Sequence, residues 1–178
     1  MNNDLYQFLA NPNSQLWQGT LHFKRGETLL CAGEVENKLY FIVDGAIKAQ
    51  IHLPDNQATI RLGYAGNIIT ALPSFISNKP SEISLEAIKK TTVLYASKQH
   101  FRQILAQNQD LLLQWIDMLE QLILQQHERE IDLLHNKPED RYNRVMARSN
   151  RIFQEIPAKY IAEYLRMTPE TLSRLKKS

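Results

Sequence analysis

From Asp110 to about His135 the chain runs without a proline or a glycine. Such a run commits to one long helix, because nothing in it supplies the left-handed backbone or the missing donor that ends a helix. About 25 residues span roughly 37 Å, more than a small domain needs for cover. Leu112, Trp115, Leu119 and Leu122 recur at the alternating three-and-four spacing of a coiled-coil seam, with Leu111, Met118 and Ile123 widening the stripe. That spacing predicts a dimer interface with a second copy of the chain. Packing wholly against the same chain is the alternative, because the seam weakens at Gln126 and Arg129, where a long coiled coil wants apolar residues.

Upstream, from about His22 to Lys98, the pattern is one of short β-rich runs cut by turn residues. Candidate strands are Thr28–Leu30, Lys38–Val43, Ala46–Leu53, Ala58–Gly63, Ile83–Ala87 and Thr92–Ala96. Arg25-Gly26, Ala32-Gly33, Asp44-Gly45, Pro54-Asp55-Asn56 and Gly66-Asn67 separate them. Asp44-Gly45, between two alternating runs, reads as a tight hairpin turn, since both residues tolerate positive φ. Strands at this spacing predict a small antiparallel barrel or roll. Phe101, Ile104 and Leu105 then predict a short helix before the long one.

Downstream, Asn136-Lys137-Pro138 breaks the long helix and begins another, with Glu139 and Asp140 near its positive end. Tyr142, Val145, Met146, Ser149, Ile152 and Phe153 give that helix an inward face. Arg141, Arg144, Arg148 and Arg151, spaced three, four and three, lie along one edge. Such a row is a candidate rest for phosphate backbone, and equally a solvated face. Pro157 suits a first helical position, and Ala158, Ile161, Ala162 and Leu165 give a two-turn helix its apolar face. Arg166-Met167 makes a break, Thr168 is an N-cap and Pro169 starts a second helix. On it Leu172 and Leu175 turn inward, while Glu170, Arg174 and Lys177 gather on the opposite side. This is the pattern of a helix-turn-helix. Arginine reads guanine bidentately, a carboxylate can accept from cytosine, and lysine meets phosphate. The competing reading is a surface amphipathic hairpin.

The 178 residues carry a net charge of only +2. It is unevenly spread: residues 1–136 hold 11 Lys and Arg against 14 Asp and Glu, or −3, and residues 137–178 hold 10 against 5, or +5. A basic surplus at one end is expected where that end meets a polyanion. A hydrophobic content of 43% suffices for a packed core. No stretch approaches the roughly 20 apolar residues of a membrane span, and the start lacks the pattern of an export signal. With one cysteine, Cys31, the chain can form no internal disulfide and no four-cysteine cluster. A cytoplasmic protein with no membrane partner and no resident cofactor is expected, and Cys31 reads as a buried thiol.

A glycine-punctuated roll, a long helix and a terminal helix-turn-helix, in that order, resemble the Crp/Fnr family of bacterial transcription regulators over nearly the whole chain. KRGETLLCAGEVENKLYFIVDGAIK at 24–48 and IPAKYIAEYLRMTPETLSRLKKS at 156–178 carry the likeness. The resemblance implies an α+β protein with a cyclic-nucleotide-binding-like β-roll at 1–109, a dimerisation helix at 110–136 and a DNA-binding unit at 137–178. It also implies a homodimer on a two-fold-related site in double-stranded DNA, with RNA polymerase as a further partner. Thr168, Glu170, Thr171, Ser173, Arg174 and Lys177 become the candidate DNA contacts.

The chain departs from the family pattern in three ways. Arg166 stands where the turn usually has glycine, at a cost of about 1–2 kcal/mol if the left-handed conformation is kept. The sequence ends after the recognition helix, without the β-wing of many members. Cyclic-nucleotide binders in the family place a Glu for the ribose and an Arg for the phosphate after the glycine corresponding to Gly66; here those positions fall on Ala71 and Ser81, followed by Glu82. A missing cation and an added anion predict that cyclic AMP is not the effector. Lys79, Ser81 and Ser84, with Gly66, Ala71 and Glu82, outline a candidate pocket for another effector.

Other functions have less to stand on. A cupin-like metal enzyme needs clustered His and Glu, whereas His22 and His52 are thirty residues apart with no H-x-H grouping, so no enzyme is expected. Haem held by one isolated histidine is likewise not expected. The rival to a DNA-binding regulator is a related module that has lost DNA contact and acts through protein partners or an unknown ligand.

Overall fold

Short strands, the central ones buried along most of their length, build the N-terminal part of the computed structural model, which describes residues 9–54 and 56–177. Two compact units divide the chain, at 1–109 and 110–178. The first contains β1 (Gly19–Phe23), β2 (Thr28–Leu30), β3 (Lys38–Asp44), β4 (Ala46–His52), β5 (Gln57–Tyr64), β6 (Ile68–Ile69), α1 (Leu72–Ser77), β7 (Ile83–Ala87), β8 (Thr91–Ser97) and α2 (Lys98–Gln107). The strands form two antiparallel four-stranded sheets, ordered β1-β8-β3-β6 and β2-β7-β4-β5. The α+β architecture with an antiparallel β-roll, expected from the sequence, is present.

Ile42, Ile47, Leu85 and Val93 are fully buried and join Leu30, Tyr40, Ala49, Ile69 and Ala71 in one cluster drawn from both sheets. Burying each large aliphatic side chain contributes about 1.5–3 kcal/mol. β1, β6 and α1 are not among the elements expected from the sequence. β6 is only two residues long, held by pairing with Tyr40 and Phe41 of β3, and six residues of α1 are too few for a period to show. Cys31 is exposed, against the expectation of a buried thiol.

Asp44-Gly45 is not a hairpin turn. β3 pairs with β8 and β6, while β4 pairs with β5 and β7. The dipeptide is the corner at which the chain leaves one sheet for the other. Gly45 sits at φ +93, and a Cβ there would lie 2.4 Å from both the Lys90 carbonyl oxygen and Thr91 Oγ1. The corner is closed by Thr91, whose buried hydroxyl accepts from the Ala46 N–H at 3.1 Å. Glycine is thus required by close approach as well as by φ.

The second unit holds α3 (Gln109–Leu134, whose first residue belongs to the first unit), α4 (Pro138–Arg148), α5 (Ile152–Glu155), α6 (Ala158–Tyr164) and α7 (Pro169–Leu175). Among the described residues no helix is long and apolar enough to cross a membrane. Leu111, Val145, Ile152, Ile156, Tyr160, Ile161, Ala162, Leu165 and Leu172 are its buried apolar residues. Tyr142 to Phe153 is not one continuous helix: α4 stops at Ser149, whose N–H still reaches the Val145 carbonyl at 2.9 Å. The break lets Phe153 meet Tyr142 edge-on at 5.2 Å between ring centres.

Gly45→Ala should lower the unfolding free energy by about 2 kcal/mol or more, since it combines left-handed strain with a backbone clash. Urea titration measures this, and a loss below about 0.5 kcal/mol, typical of an open surface site, would show that the corner is not closed as described.

Candidate nucleic-acid interface

The last two helices are joined by a turn whose chemistry is visible atom by atom. Pro157, at φ −57, caps α6 rather than opening it, so the helix begins one residue later than the sequence suggests. Tyr160 takes the inward place expected of Ala158, which is exposed. At the far end Arg166 adopts φ +55. Its N–H donates to the Glu163 carbonyl at 3.2 Å, and the Met167 N–H reaches back to Ala162 at 3.0 Å. This pair of bonds is a Schellman motif with arginine in the position usually held by glycine. The left-handed conformation is kept, with its cost of about 1–2 kcal/mol.

Thr168 then caps α7, its hydroxyl accepting from the Thr171 N–H at 3.2 Å. Leu172 is wholly buried, which fixes the rotation of the helix. Thr168, Glu170, Ser173, Arg174 and Lys177 are therefore exposed, and Thr171 is half-buried. The Glu170 carboxyl is held below its ordinary pKa by its own backbone N–H and by Thr168. It stays an acceptor at neutral pH, so the face offers one carboxylate beside two cations.

The arginine row beside this unit is not a solvent-facing stripe. Arg141 is buried, and its guanidinium donates to four carbonyls: Leu165 at 2.8 Å, Arg166 at 3.0 Å, His135 at 2.6 Å and Asn136 at 3.1 Å. Arg144 donates to Asp132 at 2.9 Å and to Glu128 at 2.6 Å. Arg148 grips both oxygens of Asp132, and Arg151 pairs with Glu155 at 3.3 Å. Arg144 and Arg148 are taken by carboxylates because the last turns of α3 face α4. Of the four residues expected to meet phosphate, Arg141 is buried, Arg144 and Arg148 are part-exposed but ion-paired, and Arg151 is exposed.

Asp132 and Arg129 complete this network and were not anticipated. The Asp132 side chain is fully buried. Burial alone would raise its pKa, but the hydrogen bonds and charges of Arg148 and Arg144 overcome this and hold it below the ordinary carboxylate value. Arg129 lies 3.8 Å over the Tyr164 ring and donates to the Tyr164 carbonyl. A signal was present in the sequence: an acid in the last turn of a helix opposes the helix dipole, and Asp132 occupies such a place.

On α3, the seam residues Trp115, Leu119 and Leu122 are half-buried, and Leu112 is exposed. Ile116, Ile123 and Leu124 are exposed as well, at 42%, 67% and 58%. The uncovered stripe thus includes residues outside the expected seam.

In the roll, the candidate effector residues are dispersed in role. Gly66, at φ +90, donates to the Ile42 carbonyl. Ala71 is fully buried in the core cluster. The Ser81 hydroxyl is engaged with the Ile83 backbone at 2.8 Å, and Ser84 Oγ lies 3.0 Å from His52 Nε2. Lys79 and Glu82 are exposed. The segment is pinned from behind by Glu36, 2% exposed, whose N–H donates to Ser74 Oγ at 2.9 Å while Ser74 Oγ donates to the Lys79 carbonyl at 2.6 Å. Burial raises the Glu36 carboxyl above its usual range. No cationic side chain comes from the two family ligand positions, Ala71 and Ser81.

Residues 20–108 match the model of the cyclic nucleotide-binding domain. No curated protein matches the chain in sequence. Among solved structures, FixK2 from Bradyrhizobium japonicum is similar with a TM-score of 0.74 at 16% identity, covering 89% of this chain and 82% of its own. The c-di-GMP responsive global regulator CLP from Xanthomonas campestris is similar at 0.65 and 14% identity, covering 89% and 84%. The catabolite activator protein of Thermus thermophilus is similar at 0.57 and 18% identity, covering 99% and 82%. At such identities the likeness is one of fold, and it spans the roll and the helices after it.

Asp132 makes stability pH-dependent in a defined direction. Its folded-state pKa lies below the ordinary 3.8, so its contribution is present above that value and is lost as pH falls through the lowered one. Asp132→Asn should lower stability at pH 7 by about 3–5 kcal/mol, the usual cost of breaking a buried ion pair, and should flatten the acid limb of the profile. Denaturation midpoints between pH 7 and 2 test this; an unchanged acid limb would remove Asp132 as the titrating group.

Proposed function

The chain belongs to the cyclic nucleotide-binding domain family, and from that membership and its Crp/Fnr-type regulator fold we propose a DNA-binding transcriptional regulator. It acts as a homodimer on a near-palindromic site and does not respond to cyclic AMP. The observation that carries the reading is α7: a capped helix, rotated by buried Leu172, that exposes Glu170, Arg174 and Lys177 together. In the major groove Arg174 meets a guanine edge, Glu170 accepts from a cytosine amino group, and Lys177 meets phosphate. Thr168 and Ser173 flank the readers, with Thr171 beneath them.

Homodimerisation is supported by the uncovered apolar residues of α3, which a second copy of the same helix would bury. Two recognition helices would then enter successive major grooves with half-site centres about 34 Å apart. The cyclic AMP reading rests on Ala71 and Ser81, neither of which offers a charge for ribose or phosphate, and on the exposed carboxylate of Glu82. RNA polymerase remains a partner implied by the resemblance alone.

Selected-site sequencing tests the DNA reading. Wild type should enrich a two-fold-related sequence; Arg174→Ala should cost about 1–3 kcal/mol and relax one base pair in each half-site. Lys177→Ala should weaken all sequences alike and make the salt dependence shallower. Absence of any enrichment by wild type would favour the rival module that acts through protein partners.

Light scattering tests the dimer. Leu119→Glu combined with Ile123→Glu should give monomers, because charges buried at a seam cost more than the lost packing. A wild-type chain that is monomeric at tens of micromolar would overturn it.

A further inference from the structure

A cavity of about 700 Å³ opens where the start of β3, the end of α1 and the first turns of α2 converge. Its volume is that of a small-molecule site. Three cations, Lys38, Lys98 and Arg102, line it together with Asn37, Asn78 and Ser97, and no carboxylate does. It shares no residue with the candidate effector set in the roll.

Lys98 is the informative member. It is only 9% exposed, yet its ammonium donates solely to neutral oxygens, the Ile76 carbonyl at 3.1 Å and Asn78 Oδ1 at 2.7 Å, and lies 5.4 Å from the Phe75 ring centre. Among the described residues no carboxylate lies within ion-pair distance of Lys38, Lys98 or Arg102. Glu36, two residues before Lys38, does not line the cavity; its Oε1 is engaged by the Lys38 N–H, and its charge acts on Lys38 without an ion pair. A buried charge is ordinarily paired. Here burial and the adjacent Arg102 guanidinium both press the Lys98 pKa down. The start of α2, a ten-residue helix capped by Ser97, adds its positive end at the same rim.

We propose that this cavity binds a small phosphorylated molecule among Lys38, Lys98 and Arg102. The guanidinium fork of Arg102 takes two phosphate oxygens, and the two ammonium groups complete the charge.

Pyrophosphate is a suitable probe, titrated into the full chain and followed by amide NMR. Saturable shifts confined to Asn37, Asn78, Lys98 and Gln99 are expected. Arg102→Ala, an exposed position that leaves the fold intact, should weaken binding about tenfold, the loss of one charged hydrogen-bonding group. Lys137→Ala, in the other unit, should change nothing. Shifts that do not saturate, that spread to the basic residues after 137, or that survive Arg102→Ala would overturn the site. So would a poly-glutamate peptide that perturbs these amides where pyrophosphate does not, which would mark the cavity as part of a protein interface.

Discussion

The C-terminal unit depends on one guanidinium. The end of a helix leaves carbonyls without partners and a partial negative charge, and Arg141 meets two such ends at once, at His135 and Asn136 after α3 and at Leu165 and Arg166 after α6. One side chain from α4 therefore fixes the direction of α6 against α3. Since the turn after α6 sets α7, the orientation of the exposed reading face descends from the same group. Asp132, clasped by Arg144 and Arg148, and Arg129, seated on Tyr164, repeat the solution along the last turns of α3. Lysine could not replace Arg141, because an ammonium has no planar fork to serve four acceptors.

Much of the fold was legible in the sequence because it rests on local rules. The proline- and glycine-free run became α3 within one residue at each end, and Thr168-Pro169 became a cap and first turn as their chemistry requires. What escaped depends on neighbours distant in sequence. Asp44-Gly45 satisfies a hairpin and a corner equally well, and only the approach of Lys90 and Thr91 distinguishes them. The arginine row has the same periodicity whether it faces water or carboxylates. Asp132 and Arg129 held the answer, but their burial is a tertiary fact. Arg129, which seemed only to spoil the coiled-coil pattern, interrupts it because α6 packs there.

The roll presents a similar division between pattern and occupancy. Residues 66–84 keep the glycine and the short helix of a ligand-binding segment, while the side chains that remain are spent on internal bonds, Ser81 to Ile83 and Ser74 to Lys79. Lys98 and Arg102, neither of them ion-paired, lie instead on α2 beside the end of that segment.

The sheet order carries a further consequence, for the time at which the roll can form. β1 has no partner until β8 exists, and β2 none until β7. Of the sheet neighbours only β4 and β5 are consecutive in the chain. During synthesis a ribosome delivers about 5–20 residues each second, so the first strand waits some seconds, unpaired, while the rest of its sheet is made. Closing the roll is a late, non-local event, slow by the standard of contact order. The helices that follow can assemble from near neighbours as soon as they emerge.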